Sequence, residues 1–227
     1  MMDIDLAWAN NAAAAYNQRE VAERELSKMH AGNPFPYFAT IGKILQQIYE
    51  RVNLPRVRLL DAGCGSAYYY DVCEHYKPRW VDYTGVDYNV GMVELAKEKY
   101  PDLRIEQQDL RALSFAPLSF DIVLTGATVN SITDWRAALH ELARVCKGYF
   151  ILHRANILLD TGKRKSTYCV KGEAYGAEVI YWRWNRNDII GAMAAEEFYP
   201  IETYNIAEPD ADNVAQTWLF ERWCGSA

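Results

Sequence analysis

The chain's 227 residues have room for one sizeable domain with its own core, and a composition half hydrophobic and 24% charged is ordinary for a soluble globular protein. A formal net charge of −6 repels phosphate backbones and argues against nucleic acid as a partner. No run approaches the ~18 consecutive apolar residues that a bilayer-spanning helix needs, so no membrane partner is expected.

Five cysteines, Cys64, Cys73, Cys146, Cys169 and Cys224, form an odd set without CxxC spacing, against both a disulfide framework and a structural zinc site. Reduced thiols fit a cytoplasmic location, and Met1 to Asn10 lacks the basic stretch and apolar run of a secretory signal. Seven Trp and sixteen Tyr fit either a well-packed core or an aromatic-walled ligand pocket.

In chain order, Leu6 to Met29 reads as a polar, Ala- and Glu-rich helix or helix pair. His30 to Pro36 is a loop, where two prolines forbid continued helix. Ile41, Ile44, Leu45, Ile48 and Val52 then recur on one helical face. These segments form an N-terminal helical cap over residues 1–54, followed by an α/β domain over 55–227.

From Val57 the texture alternates. Strands are expected at Val57–Asp61, Tyr83–Asp87, Leu103–Gln107, Phe120–Leu124 and Tyr149–Leu152. Helices fall between them at Tyr68–Tyr76, Val90–Tyr100 and the face Trp135, Leu139, Leu142, Cys146. This is the pattern of right-handed βαβ crossovers: a doubly wound, mostly parallel, seven-stranded Rossmann-like sheet. Beyond Asn156 the alternation blurs. Val179–Trp184 reads as a strand or lid-like insert, Asn187–Phe198 as a helix, and Tyr199–Ile206 with Val214–Arg222 as a C-terminal antiparallel strand pair.

Ligands of open α/β sheets bind beyond the carboxyl ends of the strands. The first strand ends in Asp61-Ala62-Gly63-Cys64-Gly65-Ser66-Ala67, whose glycines allow a sharp turn and a close backbone approach. A dinucleotide fingerprint would place its last glycine where Tyr68 stands. The second strand ends in Asp87, which can accept both hydroxyls of an adenosine ribose or cap the next helix. The third is followed by Asp109 and Leu110, suited to an adenine edge or to a turn.

These pieces, taken with Phe120-Asp121-Ile122-Val123-Leu124 and the helix at Ala137 to Val145, resemble the class I S-adenosylmethionine-dependent methyltransferases over roughly Arg56 to Arg154. The resemblance implies S-adenosylmethionine as cofactor, held by the turn that begins at Asp61. Gly63, Cys64 and Gly65 would line the methionine moiety and Asp87 would hold the ribose. Tyr88 would lie against adenine, Asp109 and Leu110 would bind its edge, and Thr125 and Gly126 would face the sulfonium. Ala67 stands where many members carry a third glycine.

After the fourth strand the chain reads Thr125-Gly126-Ala127-Thr128-Val129-Asn130, without the Asn/Asp-Pro-Pro-Tyr/Phe element of relatives that methylate exocyclic amines of DNA, or glutamine. With the acidic charge, this points to transfer onto oxygen or nitrogen of a small-molecule acceptor, by a monomer or homodimer. His153, placed just beyond the fifth strand, is the expected general base. His30, Tyr37 and Trp182 are expected at the acceptor, and no metal is expected, since no His/Asp/Glu cluster has ligand spacing. Two rival readings are a catalytically silent, S-adenosylmethionine-binding regulatory protein and a nicotinamide-dependent oxidoreductase.

Overall fold

A computed structural model describes residues 23, 36–77, 79–159, 166–174, 177–206 and 212–223. Helix α1 (Pro36–Arg51) opens with a proline, whose missing N–H is of no consequence in a first turn. Strand and helix then alternate through β1 (Val57–Ala62), α2 (Tyr68–Tyr76), β2 (Val81–Asp87), α3 (Val90–Lys99), β3 (Arg104–Gln107), β4 (Phe120–Gly126), α4 (Trp135–Val145) and β5 (Cys146–Leu158). The hairpin β6 (Tyr168–Ala174) and β7 (Ala177–Arg183) follows, then α5 (Arg186–Ala194), β8 (Phe198–Asn205) and β9 (Asn213–Arg222). Helix starts are set by side chains that accept from first-turn amides: Asn89 from Met92, Asp134 from Ala137, and Asn185 from Asn187.

Seven strands form one sheet in the order β3-β2-β1-β4-β5-β9-β8. The first five are parallel, β9 runs antiparallel to β5, and β8 antiparallel to β9. Successive residues of the central strands feed two cores, one on each face. Leu60, Val123 and Phe150 pack with Leu139 and Leu142 of α4 and Ile189 of α5. Leu59, Ile122 and Ile151 pack with Ile41, Ile44, Leu45 and Ile48 of α1 and Tyr69 of α2. Burial on both faces explains why β1 is almost continuously apolar. Strand order reverses between β1 and β4, which opens a crevice at their carboxyl ends.

Three expectations change. Strand β5 was expected to stop at Leu152 but runs to Leu158, because β9 continues to pair with it past a bulge between Leu152 and Ala155. His153 and Arg154 therefore lie inside the strand, with Arg154 in the left-handed region (φ 61°). Thr125 and Gly126 likewise complete β4 instead of following it, held in register with Leu152 and His153. Strand β6 was not anticipated: Tyr-Cys-Val-Lys-Gly-Glu-Ala has no clean alternation, and its order comes from cross-strand pairing with β7. Leu6 to Met29, except Glu23, lies outside the described residues.

One side chain ties the C-terminal half together. The Arg222 guanidinium donates to the carbonyls of Ala143 (2.6 Å) and Cys146 (3.1 Å) at the end of α4, and to Glu196 (3.2 Å) after α5, while lying over the Phe198 ring. Helix-end carbonyls have no intrahelical partner, so this charged fork supplies one to both helices. Arg222→Met should lower unfolding stability by about 2 kcal/mol in a urea titration, since it strands buried acceptors; a change below about 0.5 kcal/mol would show that water replaces the fork.

Candidate functional site

The turn after β1 is the most contorted backbone in the chain. Gly63 (φ 81°), Gly65 (φ 54°) and Ala67 (φ 60°) all adopt left-handed conformations within five residues. The Gly63 and Cys64 amides both donate to the Val86 carbonyl (2.8 and 2.9 Å), which ties the turn to β2. A Cβ on Gly63 would fall 2.1 Å from Thr128 Oγ1, so only glycine fits beneath Thr128. A Cβ on Gly65 would meet Met92 and Tyr68 only at 4.0 Å, and the Gly65 amide donates to Asp87 Oδ2 (2.9 Å). The other oxygen, Asp87 Oδ1, accepts the Asn89 amide at the start of α3 (2.9 Å). One carboxylate thus holds the glycine turn against α3. Burial pushes its pKa above the usual carboxylate range, and the amides of Asn89, Gly65 and Tyr88 pull against that rise.

Asp61 lies wholly inside, and its Oδ2 accepts from the Tyr83 hydroxyl. Burial raises its pKa to about 7, opposed by the Tyr83 hydrogen bond and reinforced by the Asp87 charge. Among the described residues, Asp61 Oδ1 has no hydrogen-bond partner, nor do the buried hydroxyls of Ser66 in the turn and Thr125 at the end of β4. Closed cores rarely leave such atoms unsatisfied. An orphaned acceptor and two hydroxyls along the ends of β1 and β4 suit an ammonium- and hydroxyl-bearing ligand, and the residues therefore fit S-adenosylmethionine. Cys64 differs from expectation in one respect: its side chain is buried against Gly85, and its thiol donates to the Gly65 carbonyl (3.5 Å).

At the end of β3, Asp109 is engaged by the Arg111 guanidinium through both carboxylate oxygens, and Leu110 is buried at 4% exposure. Tyr88 is 53% exposed beyond β2, where its carbonyl accepts from the Gln107 side chain (3.0 Å). Gly126 is covered by Tyr69, for a Cβ there would meet the ring at 2.6 Å. Tyr69 in turn stands edge-on to Phe38 and His153, with centroids 5.8 and 5.7 Å apart.

His153 is fully buried, its Nδ1 2.6 Å from Thr217 Oγ1 on β9. Burial, and then the Arg154 charge, lower its pKa to about 3. It was expected beyond a strand that in fact encloses it. Trp182, also expected at the acceptor, donates its indole N–H to the Ile132 carbonyl (2.9 Å) and thereby moors the hairpin to the turn after β4. His30 and the Tyr37 side chain lie outside the described residues.

Reading the sequence alone missed Ser66, Tyr69, Tyr83, Arg111 and Thr128. Only Arg111 left a readable trace, two positions from a carboxylate. A separate cavity of about 600 Å³ at the opposite edge of the sheet is lined by Arg56, Arg58, Arg79 and Arg104 with Glu74 and Asp82. None of the predicted residues line it, and Arg56, Arg58 and Arg104 are paired with Asp82, Asp121 and Glu106. The glycine turn and the unpartnered polar atoms of Asp61, Ser66 and Thr125 lie instead at the carboxyl edge, where the candidate site is placed. Among the described residues no three His, Cys, Asp or Glu side chains gather as a metal site would require, and no helix is long and apolar enough to cross a membrane.

This strand order, with antiparallel β9 and a glycine turn fastened to the carboxylate that ends β2, is the fold shared with solved S-adenosylmethionine-dependent methyltransferases. Residues 60–152 match the family described as methyltransferase domain. A demethylmenaquinone methyltransferase of Renibacterium salmoninarum is 31% identical over 94 residues, 41% of this chain and 38% of that protein. The EEF1A lysine methyltransferase 4 of Bos taurus is 33% identical over 103 residues, 44% of this chain and 39% of that protein. The chain thus spans about two-fifths of the length of these curated relatives. The fold is shared with a Burkholderia thailandensis 1,6-didemethyltoxoflavin-N1-methyltransferase, whose structure holds 1,6-didemethyltoxoflavin and S-adenosylhomocysteine: TM-score 0.63 at 15% identity, covering 97% of this chain and 93% of that one.

The raised pKa of Asp61 has a sign that can be checked. The folded state holds its proton more tightly than the unfolded chain, so its contribution to stability is complete below pH 3.8 and is lost as pH rises to about 7. Asp61→Asn cannot ionise and escapes that loss. The melting temperature of the variant should therefore gain on that of the ligand-free parent by roughly 2–8 °C between pH 5 and pH 8. A difference that stays constant with pH would contradict a raised pKa.

Proposed function

We propose that this chain transfers the methyl group of S-adenosylmethionine to an oxygen or nitrogen of a small-molecule acceptor. The observation that carries the reading is the Asp87 carboxylate holding the Gly65 and Asn89 amides, beside the unpartnered Asp61 Oδ1. In this reading Asp61 and the Gly63-Cys64-Gly65 backbone take the methionine end and Asp87 takes the ribose, since its carboxylate retains acceptor capacity beyond the two amides. Tyr88 covers the adenine, Asp109 and Leu110 meet its edge, and Thr125 and Gly126 face the sulfonium. The net charge of −6 and the small-molecule substrates named for the R. salmoninarum and B. thailandensis proteins support a small acceptor. Residues 1–54, with His30 and Tyr37, together with the moored hairpin of Trp182, would shape the acceptor side.

When bound, the cofactor supplies a methyl on a positively charged sulfur, and transfer is an in-line displacement that needs alignment and exclusion of water. The chain's own part follows from the packing. Tyr69 seals the floor at Gly126, backed by Phe38 and His153, so the end of β4 is walled by rings. Thr128 closes over Gly63. A His153 imidazole with a pKa of about 3 is neutral near pH 7 and a weak base, so we assign it a positioning role in this wall in place of the expected general base. An acceptor that reacts as a neutral amine, or as an oxygen already ionised, fits a site built this way.

Asp87→Ala should weaken binding of S-adenosylhomocysteine by about 1–3 kcal/mol in calorimetry, the cost of stranding charge-assisted hydrogen bonds. It should slow transfer of labelled methyl to small molecules from a metabolite extract by a similar factor when the cofactor is below saturation. Affinity equal to that of the parent would remove Asp87 from the site, and a labelled protein or nucleic acid as the sole product would overturn the small-molecule reading. The His153 imidazole should show no titration between pH 5 and pH 8 by NMR; a midpoint inside that window would restore it as a candidate base.

A further inference from the structure

The ion pair at the end of β3 is better built than its surroundings require. Arg111 Nε donates to Asp109 Oδ1 (3.0 Å) and Oδ2 (3.1 Å), and Nη2 donates to Oδ2 at 2.6 Å. The backbone amide of Arg111 adds a further bond to Oδ1 at 2.9 Å. Ala112 closes the turn by pairing back with Asp109, and its amide donates to the Asp109 carbonyl (3.0 Å). Leu110, between the two charged residues, is buried and pins the turn to the core. The carboxylate thus has one orientation, and the guanidinium hydrogen bonds hold it below the usual carboxylate range. Tyr88 and Asp134 lie near enough to Arg111 to stabilise its charge.

Stability does not account for this. The side chains are 44% and 31% exposed, and pairs so open to solvent contribute little. The pair does fix how Asp109 meets a hydrogen-bonding partner. An ionised carboxylate only accepts, and the guanidinium fork keeps that acceptor from turning away. Adenine presents an amino group at its 6 position, a donor; a 6-oxo purine presents lone pairs there.

We propose that Arg111 is the specificity-determining residue for the purine of the cofactor, a positioning residue that holds the Asp109 carboxylate in one orientation as the acceptor for a 6-amino group. The proposal rests on the reading of Asp109 as the residue at the adenine edge. A site built to receive a donor rejects an analogue that lacks it, because its acceptor is then left facing lone pairs. Arg111 contributes the rigidity, and Asp109 makes the contact.

The test is calorimetry of the purified chain with S-adenosylhomocysteine and with S-inosylhomocysteine, its 6-oxo counterpart. The parent should prefer the adenosyl ligand. Arg111→Met should weaken the adenosyl ligand by about tenfold and leave the inosyl ligand nearly unchanged, so that the preference collapses by a similar factor. Arg111→Lys, which keeps the charge without the planar fork, should fall between. Asp109→Asn, run in parallel, separates the two layers of the argument. If Asp109→Asn erodes the preference and Arg111→Met does not, the inference fails while the adenine-edge reading stands. If neither variant changes the preference, both fail. Equal weakening of the two ligands by Arg111→Met, or a fall of several degrees in its melting temperature, would make Arg111 a structural residue and overturn the proposal. A parent that binds neither ligand would overturn the cofactor reading itself.

Discussion

Two backbone amides converge on the Asp87 carboxylate, one from the glycine turn after β1 and one from the first residues leading into α3. Almost everything about the candidate site depends on this junction. The turn passes through left-handed conformations that the chain does not hold without support. The Val86 carbonyl restrains its first two amides and Asp87 the next, so the end of β2 acts as the anvil on which the end of β1 is bent. Strand pairing between β1 and β2 supplies the register, since Asp61 stands opposite Gly85 and Ala62 opposite Val86. A parallel sheet buried on both faces is what makes that register stiff.

Three further departures from ordinary backbone lie at the same edge. Ala67 follows the turn, Ala127 follows β4, and Arg154 sits in the β5 bulge, all at positive φ without being glycine. Neighbouring groups hold each of them. The Ala127 amide donates to the His153 carbonyl, and the Asn130 side chain donates to the Arg154 carbonyl. The ends of β1, β4 and β5 are thereby connected through hydrogen bonds as well as packing. An ionisable group such as Asp61 remains buried there because Tyr83 offers its oxygen a donor that a purely apolar core would lack.

Much of this was legible before any coordinates. The alternation from Val57 to Leu152 announced the doubly wound sheet, because β1, β2 and β4 are short, mostly buried strands each followed by a helix. The final strand pair was legible from its aliphatic and aromatic runs, broken by the polar stretch at Glu208 to Asn213. Strand β6 was hidden, since a strand paired in a separate hairpin need not show the alternation of one that covers a core. The extension of β5 was hidden for a related reason: the residues beyond Leu152 owe their conformation to β9, sixty positions away. Glycines and carboxylates of the candidate site could be read from local spacing. Tyr69, Thr128 and Tyr83 could not, because what matters about them is a contact across the sheet's end that spacing does not encode.

The alternation of Leu59 and Leu60 between two separate cores carries one more consequence. Side chains in a strand exchange faces at every residue, so deleting or inserting a single position in β1 would swap its entire contribution between the two cores. It would also carry Asp61 away from Tyr83, which shares its face, and present the turn to the wrong side of the crevice. The segment from Val57 to Gly65 therefore changes by substitution within a fixed length.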